Sequence, residues 1–297
     1  MKFTIRLFAV IFIVCLSACG SGSSYNEPLQ QQHLYVGNDN SPGQILQYTL
    51  PITSASIPTV TIASNNVTCL AVDDAGNLAA GDYAGHLWIF DAPLTSASTA
   101  SATFNNGSAT GNGQILFNSA GDLFASTEDT SVNLFTPPLS SASTVSQTIT
   151  AAGITDAIGA VLDASGNLIV GSDANLYVFA PPFTAAPTVT PTVTGASYRK
   201  IAISNSQLFA ARVDGAGGID VYNLPLTSAS EPLFTMTNVN IPEAVAFDSG
   251  GNLYVGNVGD ATIRVFSPPF AATSTPSVTL TVGDPANFAI FGIAIGK

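Results

Sequence analysis

At 297 residues, with 46% hydrophobic and only 9% charged residues, the chain has ample apolar material for a core and none of the character of a disordered polymer. Its formal net charge of −12 argues against nucleic acid or anionic head groups as partners. Length alone admits two ordinary domains or one large all-β domain.

The N-terminus comes first. Lys2 and Arg6 flank the start of an apolar run, Leu7 to Leu16, which is too short to span a bilayer, since that takes roughly 20 residues. It reads as an export signal. The run ends in Leu16-Ser17-Ala18-Cys19, which resembles the lipobox of bacterial lipoproteins: a branched apolar residue, two small residues, then the cysteine that is lipidated and becomes the new N-terminus. The resemblance implies a signal peptide over 1–18 and a membrane anchor at Cys19. Two or three acyl chains hold a protein stably, at ~0.8 kcal/mol per buried methylene. Gly20, rather than Asp, follows the cysteine, which by the same resemblance implies the outer membrane in a Gram-negative cell, and otherwise the outer face of the plasma membrane. Residues 19–32, rich in Gly, Ser and Gln, are expected to form a flexible tether. Removal of Lys2, Arg6 and Cys15 leaves five basic residues against 19 acidic ones, and Cys19 and Cys69 as the only thiols. With Cys19 acylated no internal disulfide can form, and Cys69, at the start of an apolar run, reads as a small buried hydrophobe.

From residue 33 to 297 the chain repeats. Leu34, Leu78, Leu123, Leu168, Leu208 and Leu253 occupy equivalent positions, spaced by 44, 45, 45, 40 and 45 residues, a period that signals a solenoid or propeller. Each full copy holds four short runs of strand character. The first is apolar without strict alternation, as in Leu70-Ala71-Val72 and Val245-Ala246-Phe247, which suits a strand buried on both faces. A turn such as Asp73-Asp74-Ala75-Gly76-Asn77 follows, where Gly tolerates positive φ and Asp or Asn bonds back to the backbone. In the fifth copy this turn, Ser204-Asn205-Ser206-Gln207, lacks the Gly. The second run starts at the aligned Leu. The third ends in Tyr48, Phe90, Phe135, Phe179, Tyr222 or Phe266, with Pro51, Pro93, Pro138, Pro182, Pro225 or Pro269 three residues later. The aromatic can fill the widening space between blades, and the proline, having no N–H, ends the strand. A Ser/Thr/Ala connector then leads into a Thr-rich fourth run, expected to be outermost and half exposed.

Four strands per copy predict an all-β, six-bladed β-propeller of four-stranded antiparallel blades. The first copy lacks a first strand, and the chain ends in Phe291-Gly292-Ile293-Ala294-Ile295, which has first-strand character and no second strand after it. Joining the termini completes blade one and closes the ring. The sixth copy, with Asp248, Gly251-Asn252-Leu253-Tyr254-Val255, Asn257 and Ile263-Arg264-Val265-Phe266, resembles the NHL repeat, and the Leu-Tyr-Val-Gly-Asn step resembles the related YVTN surface propellers. As architecture the likeness covers residues 34 to 295. Those families are mainly binding platforms, so it implies no catalytic residue.

Loops between second and third strands carry an acid in every copy: Asp39, Asp82, Glu128 with Asp129, Asp173, Asp214 and Asp260. One reading is a carboxylate ring at the channel mouth, able to hold a hard cation such as Ca²⁺ through oxygen ligands; the other is that Asp suits tight turns. Copy five differs, with Tyr198, Arg199 and Lys200 at its start and Arg212 in its second loop. They could bind an anionic or sugar-like ligand through paired guanidinium bonds and a stacking ring; alternatively the cations pair with Asp214 and Asp220. Trp88 reads as packing or a sugar platform. His33 and His86 lie in different copies and no HxxxH or CxxC spacing exists, so catalytic and zinc sets are unsupported. No cofactor is otherwise predicted. The expectation is a monomeric, lipid-anchored, non-catalytic platform for a protein, peptide or glycan; the alternatives are a metal-dependent gluconolactonase-like or lyase-like enzyme and a structural envelope subunit.

Overall fold

Turn residues at regular intervals cut the chain into strands too short to be anything but ribs of a repeated sheet. The structure, a computed structural model, describes residues 31–183, 189, 193–215 and 217–297. The signal segment, Cys19 and all of the expected tether but Gln31 and Gln32 lie outside the described residues.

Blade one contains β1 (His33–Asn38), β2 (Gln44–Thr49) and β3 (Val60–Ala63). Blade two contains β4 (Cys69–Val72), β5 (Leu78–Gly81), β6 (His86–Phe90) and β7 (Ala102–Asn105). Blade three contains β8 (Ile115–Phe117), β9 (Leu123–Ser126), β10 (Ser131–Phe135) and β11 (Gln147–Thr150). Blade four contains β12 (Gly159–Leu162), β13 (Leu168–Gly171), β14 (Asn175–Phe179) and β15 (Val193–Thr194). Blade five contains β16 (Tyr198–Ser204), β17 (Gln207–Arg212), β18 (Gly218–Asn223) and β19 (Phe234–Met236). Blade six contains β20 (Pro242–Phe247), β21 (Leu253–Asn257), β22 (Thr262–Phe266) and β23 (Val278–Thr281). The last strand, β24 (Ile290–Gly296), pairs with β1, so the first sheet runs β24-β1-β2-β3 and the ring closes as expected. The inner strands touch in the cycle β4, β8, β12, β16, β20, β24 and back to β4.

Six apolar clusters hold the ring, each shared by two neighbouring blades. The repeated aromatic is the wedge in every one: Phe266 of blade six packs with Phe209 and Val221 of blade five, and Phe135 of blade three with Phe104 and Ile89 of blade two. Each of the six is at most 4% exposed. Burying such rings is the largest single contribution a blade makes to its neighbour, since an aromatic truncated in a core costs about 3–5 kcal/mol. The six prolines that follow are all preceded by cis peptide bonds.

The turns between first and second strands share one hydrogen-bond pattern. Asp73 Oδ1 accepts from the amides of Ala75 and Asn77 while Asn77 Nδ2 donates to Asp73 Oδ2; Asp163 repeats all three bonds, and Asp248 repeats the two from its Asn. In the fifth blade Asn205 and Ser206, at φ of 49° and 59°, take the left-handed geometry that Gly supplies elsewhere. The Ser/Thr connectors are also structural: Ser96 Oγ accepts from the amide of Thr61 in the preceding blade, and Ser141 Oγ from that of Thr103, so a free edge amide is capped. Gln32 Oε1 accepts from Ser249 N and Oγ, pinning the end of the expected tether to this same face. The chain therefore enters on the hairpin face, and the loops between second and third strands, with the connections between blades, form the opposite face.

Candidate functional site

Three of the six inner strands carry one residue more than their partners. In β16 the pairing jumps from Tyr198↔Arg212 to Ile201↔Ala210, in β20 from Pro242↔Asn257 to Ala244↔Gly256, and in β24 from Ile290↔Asn38 to Gly292↔Gly37. Such bulges re-aim side chains and recur beside functional sites. Here the residues they contain, Arg199, Lys200, Glu243 and Phe291, all line one cavity of about 340 Å³ at the channel mouth. Thr68 and Tyr83 of blade two, Glu128 of blade three, and Thr155, Asp156, Ile158 and Asp173 around blade four complete the wall. Every blade thus contributes.

The cavity is polar and of mixed charge. Arg199 lies 3.8 Å from Asp156 and 4.0 Å from Glu243, too long for strong pairing, and its buried Nε has no hydrogen-bond partner. Lys200 is 5% exposed and its Nζ donates to the Gly113 carbonyl across the channel. Burial pushes its pKa down, the flanking carboxyls only partly opposing this. Burial likewise raises Glu128 to about 7, against the pull of Lys200. Asp156 rises through burial and the neighbouring Asp173, and Glu243 through burial opposed by Arg199. Tyr83, 44% exposed, meets Phe291 edge to face with centroids 5.8 Å apart, giving the wall one aromatic side. Backbone strain gathers on this face: Glu128, Ile241 and Ala261 have φ of 46°, 51° and 51°. For β-branched Ile241, 53% exposed at the rim, that conformation is a true outlier.

Of the four residues singled out in copy five, Arg199 and Lys200 reach the cavity and Tyr198 and Arg212 do not. Tyr198 is 1% exposed, its hydroxyl 2.5 Å from that of Tyr222 and 3.3 Å from Asp220, so it offers no stacking face. Arg212 pairs with Asp214 at 3.0 Å and Asp220 at 3.3 Å, which is the structural alternative weighed from the sequence. The bulge explains the split, because it turns only the two residues after Tyr198 inward.

The expected cation ring of Asp39, Asp82, Asp129, Asp173, Asp214 and Asp260 is not assembled. Asp82 closes its own hairpin through Ala84, His86 N and His86 Nδ1. Asp214 is held by Arg212 and Asp260 by Thr262 and Arg264. Asp129 is exposed. Asp39 has a buried, unpartnered Oδ1 and is pushed up to about 6 by burial and Asp82. Only Asp173 lines the cavity. Among the described residues no group of three or more acidic, His or Cys side chains could hold a metal ion. The physical reason is that Asp in loops of unequal length satisfies its own turn first. Trp88, 9% exposed and stacked on His86, is packing. Cys69 is a buried free thiol raised to about 12 by burial.

Sequence reasoning missed Asp156, Glu243 and Phe291. Gln114 was missed as well: its side chain accepts from the amides of Ala160 and Ile201 and donates to the Ile201 carbonyl, tying blades three, four and five at the axis. The available signal was what precedes each first strand: where blade two has Thr68 and blade three Gly113, blade six has Glu243.

No family model matches the sequence, and no curated protein matches it. Solved structures do match in fold. A protein of unknown function from Bacteroides caccae superposes with a TM-score of 0.65 at 12% identity, over 89% of this chain and 98% of that one. A chain of a nidogen/laminin complex gives 0.64 at 15% identity, over 90% and 98%. The β-propeller domain of Myceliophteria thermophila Cps50 (Swd1) gives 0.57 at 11%, over 84% of each. The shared feature is the propeller fold.

Proposed function

We propose that the protein is a lipid-anchored, non-catalytic binding platform of the cell envelope, and that its ligand is taken at the channel mouth. The observation that carries the reading is that the three bulged inner strands all aim their extra residues into one cavity to which every blade contributes. Mutually unsatisfied Arg199, Asp156 and Glu243 side chains are groups that a partner's hydrogen bonds would satisfy. A peptide or glycan chain end fits such a cavity better than a flat protein face, because about 340 Å³ lies at the small end of ligand pockets. The lipobox-like Leu16-Ser17-Ala18-Cys19 supports the anchor, and the NHL- and YVTN-like repeat supports the platform. A tether leaving from Gln31 on the hairpin face would leave the mouth directed away from the membrane.

An array of peptides and oligosaccharides tests the site. Binders should be lost in Arg199→Ala and Glu243→Gln and retained in Arg212→Ala; binders indifferent to the first two refute the mouth as the site. Purified protein that turned over a lactone or sugar acid in a metal-dependent way would favour the enzymatic alternative. For the anchor, Cys19→Ser should release the protein from membranes, and continued retention would count against it.

A further inference from the structure

Lys200 is unlike an ordinary buried lysine. It is 5% exposed, yet among the described residues it makes no ion pair; its one hydrogen bond goes to a neutral carbonyl, that of Gly113. A buried ammonium is normally paired, and an unpaired lysine in such a place sheds its proton. Burial does push its pKa down. Below it, a small space of about 20 Å³ is walled by Cys69, Leu70, Val245 and Ile293, while above it opens the mouth cavity, so the side chain forms the floor between them.

We propose that Lys200 captures a small carbonyl compound, an aldehyde or a 2-oxo acid, as a reversible imine at the floor of the channel-mouth cavity. The inference rests on the mouth being the binding site and adds the chemistry of the ligand. Arg199, the other residue of the same bulge, offers a guanidinium whose Nε is unpartnered, suited to the carboxylate of a 2-oxo acid. Glu128, which holds its proton up to about pH 7 in the same cavity, supplies the acid. The nitrogen lone pair of the neutral amine forms the C–N bond as the carbonyl π pair moves onto oxygen. That oxygen takes a proton from Glu128, and the nitrogen returns one to the carboxylate. A second protonation of the hydroxyl expels water as the C=N bond forms, and the remaining amine proton restores Glu128. The carbonyl oxygen leaves with both amine protons as one water, and no oxidant or reductant is needed.

The test exploits the scarcity of lysine. Apart from Lys2 in the expected signal segment, the chain has only Lys200 and the exposed Lys297. The full chain in detergent would be incubated with glyoxylate, trapped with cyanoborohydride and mapped by peptide mass spectrometry. An adduct on Lys200 that forms ahead of the background labelling of Lys297 is expected, lost in Lys200→Arg, and reduced more strongly for glyoxylate than for acetaldehyde in Arg199→Gln. A folded chain, verified by its thermal transition, that is labelled only at Lys297 overturns the proposal, as does labelling of Lys200 that begins only on unfolding. If Lys200 stays unlabelled while array binders still depend on Glu243, the imine fails and the platform stands; if Lys200 is labelled and no binder depends on the mouth, the platform fails instead.

Discussion

Blades five, six and one differ from blades two, three and four at a single place, the mouth end of the inner strand. In β4, β8 and β12 the pairing with the second strand is unbroken; in β16, β20 and β24 an extra residue interrupts it. The regular strands place Cys69, Ile115 and Gly159 at their starts, small or apolar residues, and the bulged ones place Lys200, Glu243 and Phe291 against the cavity. The repeat therefore carries the architecture, and departures from its register carry the chemistry. The hairpin face makes the same point from the other side, since its Asp and Asn groups bond within their own turns.

The largest effect should come from removing a bulged strand altogether. Deleting Phe288 to Lys297 takes away the pairing of β24 with β1 and its packing on β20 and β4, and opens the ring. Calorimetry should then show no cooperative transition; an unchanged transition would contradict closure by this strand. A finer cut separates the two kinds of blade. Removing Ala71 from regular β4 slips the register and sends each apolar side chain on one side of the deletion to the wrong face, at a cost of about 4 kcal/mol or more. Removing Glu243 from bulged β20 deletes the residue that has no partner, restoring an even ladder, and should cost about 1–3 kcal/mol. Urea midpoints of the two deletions decide whether the bulge is an insertion on a regular frame or part of the frame itself.

Much of this was legible in the sequence, because periodic constraints are read by comparing copies. The Asp-x-x-Gly-Asn turn, the wedge aromatic and the missing first strand of copy one each recur or fail at a fixed position, and the structure realises all three. The bulges were not legible, since a single extra residue shifts no hydrophobic period enough to be seen. Without the bulge, Tyr198, Arg199 and Lys200 look like one patch. With it, Tyr198 turns into the blade and its neighbours into the channel. Asp39 and Asp260 lie in corresponding loops but at different offsets from the aligned Leu34 and Leu253, and only Asp260 is in reach of an arginine, Arg264.

Arg212 and Arg199 are a matched pair for separating structure from site. Arg212 sits over Asp220, which is 1% exposed and also accepts from Thr235 and Tyr198. Arg212→Ala should destabilise by about 2 kcal/mol, below the full cost of orphaning a buried charge, because those two hydroxyls remain. Ligand binding at the mouth should be unaffected. Arg199→Ala should do the reverse, with little loss of stability, its two carboxylate partners being distant already. Thermal shift and array binding on the same preparations provide both readouts.

The smallest effect is a pH dependence that the bulged half imposes on the whole. In the folded chain Glu128 keeps its proton until about pH 7, because burial outweighs the pull of Lys200 and Arg199; its ordinary value is 4.5. Between those values the folded state binds more protons than the unfolded one, so the contribution is fully present below pH 4.5 and is lost as the pH rises through 7. Asp39, raised from 3.8 to about 6, acts in the same direction. After allowance for solvent screening, the decline from Glu128 should be about 1 kcal/mol, seen as a wild-type advantage in urea midpoint over Glu128→Gln that is smaller at pH 8 than at pH 5. Substituting the exposed Asp129 beside Glu128 should give no such pH-dependent difference. Lys200, whose folded-state pKa burial lowers, contributes with the opposite sign, stability being lost as the pH falls, so the contribution of Glu128 is read from the difference between the wild type and Glu128→Gln at each pH. A difference that grew from pH 5 to pH 8 would mean that Lys200 stays protonated and holds Glu128 as its counter-ion, which would also remove the neutral amine on which carbonyl capture depends.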